Sequence, residues 1–356
     1  MPAPYWTNRL CTPQDTPAIM RLVRAVHGDE HQEINEQYWS WRYLNDTEFR
    51  AQIVMSEVEG QPIGIQPLAI FDWQRGSERL KGAMYTGVLT HPDHRRRGVF
   101  KSLVESSNDY AKSVGAMFSM TLPNDASLPG FLKTNEWEYP GLIPMHLKVA
   151  SGADMLRPKI GGAMATLVGW MPQLRCRTRG GAITNLECER ATDVPDELDD
   201  IADAFARDSD TLMIRRTAAY WRWRYLSKPA SDYRTFVGRV NGKLGGAVTT
   251  SAGLRAGIEV GMIMDLVARG GVPAIRALLR AGERDLRERG IGLISCQAST
   301  PMMKEALRLE GFREAGPVVT RKRFHFVYRP TGVEGWPRPP KVLADWHLTF
   351  GDSDNA

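Results

Sequence analysis

Residues 87–100 read GVLTHPDHRRRGVF, and this stretch is the most informative one in the N-terminal half of the chain. An apolar strand ends at Thr90, a short basic turn follows, and Gly98 opens an amphipathic helix. The first N–H groups of a helix lack partners within it and lie at the positive end of its dipole, which suits a phosphate. Glycine allows close approach of a ligand, and neighbouring arginines add charge-assisted donors. The stretch therefore predicts a diphosphate-binding turn; a basic surface turn is the alternative.

The chain contains an internal repeat. Residues 38–44 read YWSWRYL, and residues 220–226, which begin 182 positions later, read YWRWRYL. Two aromatic-rich heptapeptides in almost the same order indicate a duplicated domain. Further matched pairs are Val58 and Val240, Gly60 and Gly242, Gly64 and Gly246, Gly115 and Gly290, Leu132 and Leu307, and Trp137 and Phe312.

Both copies have the same predicted order of elements. A strand and an amphipathic helix come first, then the aromatic segment, a hairpin, a strand, a long helix and a final strand–helix–strand block. In the first copy the apolar residues of 19–26 fall at helical spacing, and a single strand is predicted over 83–90. This order predicts an α/β fold with mixed (α+β) sheets, built twice. We expect domains at 1–150 and 183–330, a linker at 151–182 and a C-terminal tail at 331–356.

Composition and charge exclude several function classes. The 356 residues carry a formal net charge of +5, from 46 basic and 41 acidic side chains, without a basic stripe interleaved with aromatics. Nucleic acid is therefore not an expected partner. The four cysteines lack Cys-x-x-Cys spacing, so no metal is expected. The sequence has neither a signal-peptide pattern nor an apolar run of about 20 residues, so we expect a cytoplasmic protein with no membrane span.

The strand, the sequence His-Pro-x-x-Arg-x-x-Gly and the helix together resemble the acyl-CoA-binding segment of the GNAT acetyltransferase superfamily. The resemblance covers about residues 5–150 and includes LPNDAS at 122–127. The family pattern is Arg/Gln-x-x-Gly-x-Gly/Ala, and residues 95–100 read RRRGVF, so Phe100 replaces the small last residue. The resemblance implies tandem duplicated GNAT-like acyl-CoA N-acyltransferase folds.

The same resemblance implies that acetyl-CoA, or another acyl-CoA, is the co-substrate. Backbone groups of Leu89 and Thr90 would bind the acyl carbonyl and the pantetheine, and Asn124 would lie near the pantetheine arm. An N–H group fixed at the carbonyl would stabilise the negative charge that develops there. The expected cofactor-binding residues are Leu89, Thr90, Arg95, Arg96, Arg97, Gly98, Val99, Phe100 and Asn124.

The second copy lacks the basic turn. Residues 268–273 read ARGGVP, with one arginine, and proline at the start of the helix removes an N–H group. We therefore expect one cofactor site per chain, in the first copy. Two-domain members of the superfamily imply that the second copy helps to shape the acceptor site.

The usual catalytic groups of the family are missing from the matching positions. Leu132 stands where many members carry a tyrosine acid, and Met84 stands near the place of a glutamate base. The candidate catalytic groups are Tyr85 and Asp125, by proximity, and the terminal carboxylate of Ala356, at the end of the acidic tail. The alternatives are surface or packing roles for the two side chains and a frayed end for the tail.

Trp39, Trp41 and Tyr43 are candidate substrate-binding residues. This part of the fold often borders the acceptor pocket, and aromatic rings suit a sugar or a planar molecule. The second copy repeats the same pattern without the cofactor turn, which supports shared packing as the alternative.

Together these expectations predict an N-acetyltransferase that moves an acetyl or other short acyl group from CoA to a primary amine of a small molecule, with amino sugars among the candidates. One alternative is a non-catalytic CoA-binding regulatory or scaffolding protein, which the missing tyrosine and glutamate support. The other is a tRNA-dependent aminoacyl transferase, although that group commonly carries a long helical arm and this sequence has no charged heptad stretch.

Overall fold

The computed structural model describes residues 5–133, 136–153, 155, 178–255, 257–316, 323–336 and 338–353. Most of the predicted linker at 151–182 and the terminal residue Ala356 lie outside the described residues. The strands of the first half are β1 (Thr7–Leu10), β2 (Gln52–Val58), β3 (Gln61–Arg75), β4 (Glu78–Tyr85), β5 (Leu89–Thr90), β6 (Ala116–Thr121), β7 (Glu138–Leu142) and β8 (Met145–Val149). The remaining strands are β9 (Glu187–Ala191), β10 (Met213–Ile214), β11 (Arg234–Val240), β12 (Lys243–Arg255), β13 (Ile258–Ala268), β14 (Leu293–Gln297), β15 (Arg313–Glu314) and β16 (His325–Pro330).

Helices cover the sheets in both halves. The α-helices of the described residues are α1 (Thr16–His27), α2 (Glu36–Trp39), α3 (Val99–Ser113), α4 (Leu128–Leu132), α5 (Leu198–Ser209), α6 (Ala218–Trp221), α7 (Gly271–Glu288) and α8 (Pro301–Leu309). Single π-helical turns, Ser40–Leu44 and Arg222–Leu226, extend α2 and α6. Short 3₁₀ helices are Pro13–Asp15, Gln32–Ile34, Pro92–His94, Leu343–Asp345 and Phe350–Asp352.

Each half builds one mixed sheet. The first has the strand order β1-β2-β3-β4-β6-β16-β7, with β5 and β10 paired to β3, and the second has the order β15-β8-β14-β13-β12-β11-β9. Within the sheets, β4 runs parallel to β6 and β13 runs parallel to β14, while their other neighbours are antiparallel. The predicted mixed α/β fold, built twice, is confirmed.

The two halves exchange their last strands. Strand β8 leaves the first half and pairs with β14, whereas β16 of the second half pairs with β6 and β7. The sequence repeat at 1–150 and 183–330 therefore does not coincide with the division between the sheets. The exchange brings residues near 325 to the first sheet, which matters for the site.

The repeated aromatic segments pack against each other. The rings of Trp41 and Trp223 are stacked with centroids 5.1 Å apart, and the indole N–H of Trp41 donates to the carbonyl oxygen of Trp223 at 2.9 Å. Phe49, Phe71 and Tyr220 complete this contact from both halves. One continuous apolar core therefore runs through the junction.

A smaller core lies under α3. The helix buries Val99, Leu103 and Val104 against the strands of the first sheet. This packing holds the N-terminus of α3 directly beyond the end of β5. No helix among the described residues combines the length and apolar character needed to cross a membrane.

Candidate active site

The predicted strand at 83–90 is broken in the middle, and the break forms the site. Tyr85 of β4 lies opposite Leu68, whereas Leu89 of β5 lies opposite Ile65, so the segment contains one residue more than its partner. This extra residue makes a β-bulge, in which Gly87 has a φ of +49°. The expectation of one unbroken strand was wrong, because a glycine in this conformation turns the chain out of the ladder.

The parallel strands β4 and β6 separate at the same level. Their last pair is Tyr85 and Thr121, whose hydroxyl donates to the carbonyl oxygen of Tyr85 at 3.0 Å. Beyond this pair a cavity of about 250 Å³ opens between the strand ends. Its lining residues are His27, His31, Gln32, Glu33, Tyr38, Gln66, Met84, Tyr85, Thr86, Gly87, Val88, Thr121, Leu122, Pro123, Asn124, Ser127, Phe131, Arg323, Phe324, Asp352 and Ser353.

The predicted phosphate turn lies between β5 and α3. Gly98 precedes the helix with a φ of +96°, and Arg96 has a φ of +61°. Arg95, Arg96 and Arg97 are exposed, and none forms an ion pair with a carboxylate of the described chain. Three cations without acidic partners beside a helix N-terminus make a surface that fits a diphosphate.

Two contacts order this turn. The guanidinium Nε of Arg95 donates to the carbonyl oxygen of Thr90 at 3.3 Å, and the Arg97 guanidinium lies over the Tyr5 ring at 5.8 Å. Both arginines remain exposed despite these contacts.

Phe100, which replaces the small last residue of the family pattern, packs its ring against α4. Its ring packs edge-on against Phe131 at 5.1 Å and covers Gly130, where an added Cβ would lie only 2.9 Å from the ring. The missing side chain at Gly130 therefore accommodates the large residue.

Asn124 lies at the cavity wall, but its amide oxygen is engaged. It accepts hydrogen bonds from the backbone N–H groups of Ala126 at 3.0 Å and Ser127 at 2.9 Å. The side chain thus orders the turn that leads from β6 to α4, next to the expected pantetheine arm.

The hydroxyl of Tyr85 points away from the position expected of a catalytic acid. It accepts a hydrogen bond from Ser119 at 3.0 Å, in the core under α3, and the side chain is 2% exposed. Burial raises the pKa of Tyr85 above its usual value. This geometry does not favour the predicted catalytic role, because side chains alternate along a strand and Tyr85 falls on the helix-facing side.

Asp125 belongs to a polar chain at the cavity rim. Its Oδ1 lies 2.7 Å from Nε2 of His325, and Nδ1 of the same ring lies 2.8 Å from the Tyr139 hydroxyl. Arg323 lies 3.4 Å from the other oxygen of Asp125. The hydrogen bond from His325 lowers the pKa of Asp125. The exchanged strand β16 supplies His325, so sequence proximity alone could not have found this partner.

The three aromatic candidates for substrate binding are buried, and they differ in position. Trp41 belongs to the junction between the halves, and the Trp39 ring lies against Tyr43 at 4.3 Å. The hydroxyl of Tyr43 donates to Oε1 of Glu33, a lining residue of the cavity, at 2.8 Å. The structure thus puts Trp39 and Trp41 in packing roles, and Tyr43 touches the site through Glu33.

The C-terminal tail reaches the cavity. Trp346, Leu348 and Phe350 are buried, and Asp352 and Ser353 line the cavity wall. The described part of the tail is therefore packed, and it ends three residues before Ala356.

Two arginines of the second half hold the tail in place. Nη2 of Arg216 lies 2.8 Å from both oxygens of Asp352, and its Nε lies 3.0 Å from Asp265. Arg224 donates to the carbonyl oxygens of Gly351 at 3.1 Å and Ser353 at 2.8 Å. Sequence reasoning missed Arg216 as a tail anchor, since no local pattern links it to residue 352.

In the second half, the C-terminal tail packs against β13. Strand β13 pairs with β12 as far as Ala268. Gly351 of the tail lies so close to β13 that a Cβ added to this glycine would be 2.8 Å from the Asp265 carboxylate. Gly270 keeps the left-handed conformation of Gly98, with a φ of +106°. This half has thus kept the glycine before the helix, and the tail packs against Asp265 of β13.

A family model of the acetyltransferase (GNAT) domain matches residues 7–139. Residues 7–139 are therefore a domain of the GNAT acetyltransferase type. This match supports an acyltransferase activity for the domain. Among the described residues, no group of three potential metal ligands is clustered.

Solved structures resemble most of the chain, not only its first half. A GCN5-related N-acetyltransferase from Anabaena variabilis has a TM-score of 0.65 at 11% identity, over 92% of this chain and 73% of its own. Eis1 from Mycobacterium abscessus has a TM-score of 0.58 at 16% identity, over 92% and 74%. Saccharomyces cerevisiae N-myristoyltransferase with bound myristoyl-CoA has a TM-score of 0.56 at 7% identity, over 92% and 84%. At these identities the likeness concerns the fold. No protein with a curated description matches the sequence.

Proposed function

We propose that this GNAT protein transfers an acetyl or other short acyl group from CoA to a primary amine of a small molecule, with amino sugars among the candidates. One observation carries the proposal. The cavity at the Gly87 bulge lies on the same short segment as the exposed arginines before α3, so one extended thioester could reach both.

The proposed cofactor contacts follow the order of the segment. Arg95, Arg96 and Arg97, with the first N–H groups of α3, would bind the diphosphate. Backbone groups near Leu89 would bind the thioester carbonyl, and a fixed N–H there would stabilise the oxyanion of the tetrahedral intermediate.

The reaction requires a neutral amine. An alkyl ammonium has a pKa of about 10.4, so loss of its proton near pH 7 costs roughly 4–5 kcal/mol. The amine nitrogen then attacks the carbonyl carbon, the C–S bond breaks, and the CoA thiolate takes up a proton.

The terminal carboxylate of Ala356 is our proposed proton acceptor. This assignment is supported by the positions of Asp352 and Ser353, which line the cavity. The three remaining residues can span about 10 Å, which is enough to cross a cavity of this size. Asp125, hydrogen-bonded to His325 at the rim, is the second candidate.

A thiol-release screen with acetyl-CoA and a panel of amines tests the proposal. Arg95→Ala and Arg97→Ala should each weaken acetyl-CoA binding about 10-fold or more, because each removes a charged contact to phosphate. Arg190→Ala, at an exposed arginine on β9, is the matched control and should bind normally.

Two results would count against the proposal. Unchanged acetyl-CoA affinity in both arginine variants would remove the diphosphate site from this turn. Tight binding of acetyl-CoA without thiol release for any amine would favour the CoA-binding regulatory or scaffolding protein instead.

A further inference from the structure

An exposed aromatic ring lies beside the arginine turn, which is the segment of residues 95–97 between β5 and α3. Among the tyrosine, tryptophan and phenylalanine side chains of the described residues, only Tyr5 at 47% and Tyr139 at 42% are exposed. Tyr139 belongs to the polar chain with His325. Tyr5 precedes β1 and lies outside the lining of the cavity, so its neighbours decide what its ring can bind.

Three neighbours fix the position of the Tyr5 ring. Its hydroxyl lies 2.8 Å from Nδ1 of His94, within hydrogen-bonding distance. The Arg97 guanidinium lies over the ring, 5.8 Å from its centroid, and the Trp6 ring meets it edge-on with centroids 5.0 Å apart. Arg97 belongs to the arginine turn, and His94 comes directly before it. The ring is therefore attached to the proposed diphosphate site itself.

The segment before β1 is fastened to the start of α3. Nε1 of Trp6 donates to the Ser102 hydroxyl at 3.2 Å, and a Cβ added at Gly98 would be 3.8 Å from the Trp6 ring. Nδ2 of Asn8 donates to the same hydroxyl at 2.7 Å. Because Ser102 lies in the first turn of α3, these contacts hold Tyr5 next to the place where the helix begins.

The chemical groups of an acyl-CoA occur in a fixed order. The thioester ends the pantetheine arm, the diphosphate follows, and one ribose connects the diphosphate to the adenine base. The protein has the cavity at Gly87 for the thioester, the arginine turn for the diphosphate, and the Tyr5 ring next to that turn. A base that is one ribose away from a diphosphate bound by Arg97 is within reach of a ring 5.8 Å from the same guanidinium.

An aromatic ring beside an arginine suits a planar base. Bases stack on aromatic side chains, and a guanidinium adds a cation–π contribution. The pantetheine arm contains no planar ring, and the phosphates have no apolar face. Adenine is therefore the part of an acyl-CoA that an exposed tyrosine ring fits.

We propose that the Tyr5 ring stacks against the adenine base of CoA, while Arg97 contacts both the ring and the diphosphate. This inference rests on the proposed function. The adenine contact would let the protein distinguish a free acyl-CoA from a phosphopantetheine thioester, which has the same arm and ends in a single phosphate. His94 is a positioning residue, because it acts through the Tyr5 hydroxyl.

Calorimetric titration of the full-length protein with two thioesters tests the proposal without turnover. Acetyl-CoA contains adenosine, and acetyl-phosphopantetheine lacks it. Tyr5→Ala should weaken acetyl-CoA binding about 5- to 100-fold, which corresponds to the loss of one stacked base, and should leave acetyl-phosphopantetheine binding unchanged. Tyr5→Phe keeps the ring, so its acetyl-CoA affinity should stay within about 3-fold of the wild type.

A spectroscopic signature and a matched control accompany the titrations. The ring current of a stacked tyrosine shifts the NMR signals of the adenine protons upfield. With adenosine bisphosphate, the nucleotide end of CoA without its arm, this shift should occur in the wild type and in Tyr5→Phe and should be lost in Tyr5→Ala. Leu10→Ala is the control, because Leu10 ends β1 and is likewise exposed, at 40%. Its substitution should change neither thioester affinity.

Three outcomes would overturn the adenine contact. Equal loss of both thioesters in Tyr5→Ala would mean that Tyr5 acts through the turn and not through the base. A loss in Tyr5→Phe as large as that in Tyr5→Ala would assign the effect to the hydroxyl. Wild-type affinity of Tyr5→Ala for acetyl-CoA would also overturn the contact, and weaker binding by Arg97→Ala in the same titrations would leave the proposed diphosphate site standing.

Two further outcomes concern the proposed function. Selective loss of acetyl-CoA binding in Tyr5→Ala, without thiol release from the wild type for any amine, would support the adenine contact and refute the proposed transfer. Absence of acetyl-CoA binding by the wild type would refute both.

Discussion

Replacing Arg216 by methionine tests whether the second half holds the tail. Arg216 is fully buried and contacts Asp352 at 2.8 Å, Asp265 at 3.0 Å and the carbonyl oxygen of Ile214 at 2.9 Å. Methionine keeps much of the side-chain length and removes the charge. Two buried carboxylates would then share one site without a cation.

The expected loss is large. Breaking a buried ion pair by removing one partner costs about 3–5 kcal/mol, because the remaining charge stays buried and uncompensated. Domains are typically stable by about 5–15 kcal/mol, so the variant should be strongly destabilised. Arg338→Met, which breaks a half-exposed pair with Glu78 at 3.0 Å, should cost at most about 1 kcal/mol.

The loss should depend on pH. Burial raises the pKa of Asp352, and Arg216 opposes that shift. A carboxyl whose folded pKa lies above its unfolded value of about 3.9 binds more protons when folded, so its contribution to stability falls as pH rises. Without Arg216 this shift grows, and Arg216→Met should be less destabilised at pH 5 than at pH 8.

Urea unfolding followed by tryptophan fluorescence, at both pH values, measures these differences. Thiol release in the same samples reports whether the tail still reaches the cavity. Wild-type stability of Arg216→Met at pH 8, or a loss no larger than that of Arg338→Met, would refute the argument.

Three further predictions concern the turn, the tail and acid stability. Gly98→Ala should lower the free energy of unfolding by about 1–2 kcal/mol and weaken acetyl-CoA binding, which calorimetry measures. The nearest atom to the new Cβ is 3.8 Å away, so only the φ of +96° opposes the substitution. Normal acetyl-CoA affinity would contradict this prediction. Deleting residues 354–356 should lower kcat for the best amine with little change in the KM for acetyl-CoA, and full turnover would exclude the terminal carboxylate as base. Burial lowers the pKa of His347 to about 3. Between about pH 6.5 and 3 the unfolded state therefore binds more protons than the folded state does. As pH falls through that window, this group lowers the free energy of unfolding by up to about 1.4 kcal/mol per pH unit. His347→Leu should therefore flatten the acid side of the thermal stability profile, and an unchanged slope would show that other groups cause it.

Local patterns were sufficient for much of the fold. The helical spacing over 19–26 corresponds to α1, and the basic turn before Gly98 corresponds to the start of α3. These features depend on residues close together in the chain, which is why periodicity and glycine chemistry could predict them. The strand at 83–90 was the exception, since a bulge is defined by the register of a partner strand and not by its own residues.

The candidate site divides in the same way. The proposed cofactor turn is one continuous segment, so the turn and the helix start after Gly98 could be predicted from local sequence, while its ligand stays a prediction. The lining of the cavity is not continuous: Glu33 comes from the α1–α2 connection, Gln66 from β3 and Asp352 from the tail. Tyr85 shows the converse, because its position beside the cavity was predicted and the side of the strand that it faces was not.

The duplication, the mixed α/β class and the strand–turn–helix that fits a diphosphate could all be predicted from the sequence alone, because they depend on local spacing and on the repeated segments at 38–44 and 220–226. Three features became visible only in the folded chain: the halves exchange their last strands, Arg216 binds Asp352 of the tail, and Glu33 and Gln66 line the same cavity. These arrangements are set by burial and pairing between segments far apart in the chain, where no local preference of either segment specifies the partner.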